Sequence, residues 1–199
     1  MGFGPVSIGF MLLFDLQTAL SHESGGQVYA VIDIFPNVLG FILLFWGLFR
    51  LTKEDRAFLP LRNASLAMLF FSVFSLLKDT ALYPVFYTDG VEGAAALWIR
   101  FAEHLLILAF SFFLFRRTGA FLEERGEAKL ARAHQRTTVF LLMEGAIYAV
   151  SFILALFRPE GLGATLLKTL RILDMLLWVF TVWYGGIAQF RAALRMQAS

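Results

Sequence analysis

Six apolar stretches, each near the length of a bilayer-crossing helix, divide this 199-residue chain. A hydrocarbon core of about 30 Å takes about 20 residues at 1.5 Å rise each. The runs Pro5–Leu20, Val31–Leu51, Asn63–Leu82, Gly93–Phe115, Thr137–Phe157 and Gly163–Phe190 fit that length. They are about twice as long as a barrel strand and lack strict alternation, so the pattern predicts helices rather than a β-barrel. The chain is 59% hydrophobic and only 16% charged. A soluble domain is nearer to about 25% charged, so this balance excludes an ordinary soluble enzyme and a disordered chain alike. The absence of Cys removes disulfides, thiolate catalysis and Cys-ligated zinc. The expected fold is all-α: a single six-helix transmembrane domain over residues 1–199, with three hairpin repeats as one arrangement of the spans.

The connections carry a direction. Arg50, Lys53, Arg56 and Arg62 follow the second run, Arg116 through Arg136 the fourth, and Arg191 and Arg195 the sixth. Those three segments hold twelve basic residues, against one (Arg158) in the other connections. Under the positive-inside rule both termini and the basic segments face the cytoplasm. The segment from Arg116 to Arg136 mixes charge with Phe121, Leu122 and Leu130 and reads as a charged helical extension of its neighbouring spans. A net charge of +2, spread between spans, offers no nucleic-acid face.

Every span also bears a polar stripe at helical spacing. The third carries Ser65, Met68, Ser72, Ser75 and Asp79; the second Asp33, Asn37, Gly40, Leu44 and Gly47. The fourth carries Arg100, His104, Ile107 and Ser111; the fifth Thr137, Leu141, Glu144, Tyr148 and Ser151; the sixth Lys168, Arg171, Met175, Trp178 and Thr181. Positions three and four apart share a helix face. Small and hydroxyl residues there are explained by close helix packing. Ionisable ones cost a few kcal/mol at mid-bilayer and face a partner or a wet cavity. Measured from the arginines at the inner boundary, Asp33, Asp79, Arg100 and Asp174 fall near the outer interface, where a structural or headgroup role suffices. Asp15, Asn37, Glu103, His104 and Glu144 fall deeper. Together with Arg171, these five form the candidate substrate- or ion-binding set. Lys78, Arg100 and Lys168 gather in the same outer half as counter-charges.

The chain has no GxSxG, HExxH, P-loop or GxGxxG signature, so no catalytic residue and no cofactor is assigned. A metal site would need an acid such as Asp15, Asp33, Asp79 or Asp174 from another span beside His104, a convergence that spacing does not show, so none is assigned. The run Val31-Ile32-Asp33-Ile34-Phe35-Pro36-Asn37-Val38-Leu39-Gly40-Phe41-Ile42 is distinctive. Pro36 suits a first helical turn, and Asp33 is positioned to cap it. The run resembles an Asp-x-x-Pro-Asp/Asn-x-x-Gly span motif of uncharacterised small multispan membrane proteins of Bacillota. Those proteins also carry a preceding Gly-Phe-rich span with an Asp, as in Gly9-Phe10 through Asp15 here. The resemblance covers about the first 60 residues and implies a multi-pass protein of the bacterial plasma membrane.

Three functions fit these features. The leading expectation is binding or transport of a small polar solute or ion through an outward-facing polar pocket, with Glu144 and Asp15 as proton or cation sites. The alternative is a non-catalytic structural or regulatory subunit of a membrane complex, its stripes serving as helix glue. A third is a membrane enzyme using Glu103 and His104 as an acid–base pair. The corresponding partners are the lipid bilayer, the solute, proton or cation, and another membrane protein.

Overall fold

The computed structural model describes residues 2–13, 17–21, 28–33, 37–88, 91–92, 94–157 and 161–198. Helix α1 (Phe3–Met11) is followed by two paired antiparallel strands, β1 (Gln17–Ser21) and β2 (Val28–Asp33). Helix α2 (Asn37–Glu54) runs back, and a 3₁₀ turn (Arg56–Phe58) leads into α3 (Leu59–Asp79). A one-turn α4 (Tyr83–Phe86) and a second small ribbon, β3 (Tyr87–Thr88) with β4 (Val91–Glu92), precede α5 (Ala94–Glu124). Helices α6 (Ala128–Leu156) and α7 (Leu162–Ala198) complete the chain.

The fold is helical, as expected, but the first two apolar runs divide differently. Residues 17–21 and 28–33 pair as strands, with Gln17 opposite Asp33 and Ala19 opposite Val31. Val28, Tyr29, Val31 and Ile32 are β-branched or aromatic and favour an extended backbone. Asp33 ends that strand, four positions before α2, and the capping expected of its side chain lies outside the described residues. Pro36 and Asp15 lie outside the described residues. Among the described residues, three helical segments are long and apolar enough to cross a membrane: Arg56–Asp79, Ala95–Glu124 and Ala128–Leu156. Their exteriors suit lipid, with Phe70, Leu142, Met143 and Ile153 exposed on them.

The helices form a ring. Each packs against its chain neighbours, and α7 returns against α1 to close it. Successive helices run antiparallel, as the facing pairs Gly9 with Gly40 and Gly2 with Gly47 require for α1 and α2. The stripes read from the sequence point inward. Ser65, Met68, Ser72, Ser75 and Asp79 of α3 are all buried, as are Thr137, Leu141, Glu144 and Ser151 of α6.

Two ends of the ring differ. One gathers the basic residues and is stitched by ion pairs. Arg117 on α5 pairs with Asp55, Arg125 with Glu54 at 3.7 Å, and Arg195 on α7 with Glu127 at 2.9 Å. Beneath them Phe58, Phe3 and Phe121 interlock, with ring centroids 5.5 and 5.8 Å from that of Phe121. The turn from α5 to α6 passes through Gly126 at φ +80°, a left-handed helix stop that favours glycine. The charged extension expected between Arg116 and Arg136 is thus the end of α5 and the start of α6.

Candidate functional site

At the opposite end the ring encloses a cavity of about 220 Å³. That is far more than the ~10–15 Å³ a single water needs. Six of the seven described helices reach its wall, α1 through Leu13 in the turn that follows it, and the others through Asn37 from α2, Ser75 from α3, His104 from α5, Tyr148 from α6 and Asp174 from α7. Lys78, Asp79, Arg100 and Glu103 add charges of both signs.

Local helix geometry explains who reaches the cavity. On α3, Ser72, Ser75 and Asp79 recur at three and four residues and share one face. Lys78 stands beside them, 1% exposed, and its ammonium lies 3.0 Å from the Asp79 carboxylate. Ser75 Oγ donates to Glu103 Oε2 at 2.5 Å, which ties α3 to α5. On α5, Arg100, His104 and Ile107 follow the same spacing.

His104 is the centre of the arrangement. Its Nε2 lies 2.8 Å from Oε1 of Glu144 on α6. Its ring sits against Tyr148 at 3.9 Å between centroids and edge-on to Trp178 at 5.7 Å. Below this, Phe101 stacks on Phe152 at 3.8 Å and on Tyr148 at 5.7 Å. The aromatic wall holds the imidazole in place, so its ring nitrogen is directed at the Glu144 carboxylate. Glu144 itself is 0% exposed, and its second oxygen accepts no hydrogen bond among the described residues. Oδ1 of Asp174, half-buried on α7, is likewise buried and unpartnered among the described residues.

Of the residues singled out in the sequence, Asn37, Glu103 and His104 line the cavity, and Glu144 joins it through His104. Arg171 does not line it. It is exposed on α7, one turn nearer the helix N-terminus than Asp174 and Met175. A long cationic chain near a helix end extends to the surface, which is where this one lies. Asp79, Arg100 and Asp174, assigned from the sequence to the outer interface, are part of the wall, as is Lys78, expected as a counter-charge in the outer half. For Asp79 and Arg100 the place on a polar stripe was the available signal; Lys78 and Asp174 lie beside the stripes read from the sequence. Comparison with known protein families, curated proteins and solved structures finds no match.

Proposed function

We propose that this chain is a multi-pass protein of the bacterial plasma membrane that binds or transports a small polar solute or ion through its cavity. One observation carries this reading: six helices with apolar exteriors converge on a single chamber whose wall holds His104, Glu103, Asp174, Arg100 and Lys78. Gathering charge at one depth in an apolar bundle is costly unless it is used or hydrated. The arginine-rich end lies away from the chamber, and the positive-inside rule then turns the chamber outward. The Asp-x-x-Pro-Asn-x-x-Gly run of residues 33–40, with its likeness to multispan proteins of Bacillota, supports the location.

The natural chain has no cysteine, which gives a direct test. In right-side-out vesicles, a membrane-impermeant maleimide should label Ser75→Cys. It should leave Ser65→Cys, on the same face of α3 but nearer the basic end, unlabelled. Equal resistance at both positions would show that the chamber does not open outward and would remove this reading.

A further inference from the structure

We propose that His104, Glu144 and Asp174 form a binding site for one divalent first-row transition-metal cation. The assignment rests on the reading of the chamber as a ligand-binding space and names the ion it takes.

The three residues come from α5, α6 and α7 and are far apart in sequence. Each nevertheless offers a donor atom within 4.8 Å of the other two. Ligands of a zinc-like ion lie about 2.0–2.2 Å from it, so two ligands of one ion are at most about 4.4 Å apart. Side-chain adjustments of less than about 1 Å therefore bring all three onto a common centre. The His104–Glu144 contact of 2.8 Å is close to the spacing of neighbouring ligands already.

A second observation points to a missing partner. Glu144 is wholly enclosed, yet its Oε2 accepts nothing among the described residues, and neither does Oδ1 of Asp174. A buried acceptor without a donor is costly, and an uncompensated buried charge more so. A single imidazole cannot neutralise two carboxylates. A divalent cation does, leaving the three residues with no net charge and giving the two carboxylates the counter-charge they lack.

The donor set selects the class of ion. One imidazole nitrogen favours zinc, iron, nickel or copper, whereas carboxylate oxygens favour manganese or magnesium. The mixture suits a borderline ion such as Zn²⁺, Fe²⁺ or Mn²⁺. Three protein ligands leave a coordination position open toward the chamber. The packing of His104 against Tyr148 and edge-on to Trp178 fixes the ligating ring in advance.

The test uses the full-length protein, purified in detergent, stripped with a chelator and titrated separately with Zn²⁺ and Mn²⁺. The expected result is retention of about one ion per chain after desalting, with a rise in the unfolding midpoint, since a ligand that binds only the folded state stabilises it. Asp174→Asn and Glu144→Gln should each weaken that binding at least tenfold, whereas Arg171→Gln, exposed on the same helix, should leave it unchanged. Added Co²⁺ should give a visible ligand-field band in the parent protein and none in Asp174→Asn. Asp174 is only partly buried, so its variant is expected to fold even if Glu144→Gln does not. No retained ion, or equal retention in Asp174→Asn, would overturn the site. If Ser75→Cys is still labelled from outside in that case, the chamber stands and only the ion is wrong. If labelling also fails, both readings fall.

Discussion

At the scale of single residues, the tightest constraint is the seam between α1 and α2. A Cβ on Gly40 would meet the backbone oxygen of Gly9 at 2.9 Å, and one on Gly47 would meet that of Gly2 at 2.6 Å. Backbone cannot yield as a side-chain tip can, so Gly40→Ala should cost about 1–3 kcal/mol, the usual range for overpacking. Gly4 in α1, by contrast, meets nothing within 4 Å. Gly4→Ala should then be neutral or stabilising by about 0.5–1 kcal/mol, because alanine loses less freedom in a helix. Unfolding in detergent, compared side by side, checks the pair. The sequence made Gly40 and Gly47 readable as close-contact positions, since small residues on a stripe imply it. Counting residues from the boundary arginines also singled out Asn37, Glu103, His104 and Glu144, the first three of which line the cavity while the fourth pairs with His104. The sequence could not reveal that Asp174 shares a centre with His104 and Glu144, because that depends on how three helices are rotated against one another.

Among the elements, the junction of α2, the 3₁₀ turn and α5 turns on Asp55. Its carboxylate accepts from the Ala57 N–H at 2.9 Å and pairs with Arg117. Burial acts to raise its pKa, but the Ala57 hydrogen bond and the Arg117 charge outweigh that and hold it below the ordinary aspartate value. A lowered folded-state pKa means stabilisation that is complete above the unfolded value, about 3.9, and is lost as pH falls through the lower folded value. Asp55→Asn keeps a capping side chain but loses the charge. It should lower stability by about 0.2–1 kcal/mol at neutral pH, and the gap from the parent should close below about pH 4. A gap independent of pH would show that the ion pair contributes nothing. The same scale holds the main departure from expectation. Helical stripes were legible in α3, α5 and α6 because their period of 3.6 extends over five turns or more. In the first run, hydropathy alone could not separate a helix from paired strands, and α1 ends at Met11 after nine residues.

For the whole molecule, the decisive contact is the closure of the ring. Ser7 Oγ donates to the Gly186 carbonyl at 2.8 Å, across 179 positions of sequence. Phe10 meets Trp178 edge-on at 6.5 Å beside it. The cysteine-free background makes this testable: a Ser7→Cys, Gly186→Cys pair should cross-link with a short bifunctional thiol reagent. The three atoms nearest to a Cβ at Gly186 all belong to the flexible side chain of Met11, which must shift to admit it. Cross-linking confined to single variants in separate molecules would argue against closure. No periodicity in the sequence announces which helices are neighbours beyond those joined by short connections, so this feature became visible only in three dimensions. It also bears on how the protein is made. The ribosome releases α1 long before α7, so the first helix waits unpaired on one side until α7 has been made. The chamber, which takes Asp174 and Trp178 from α7, is assembled only once that helix has emerged.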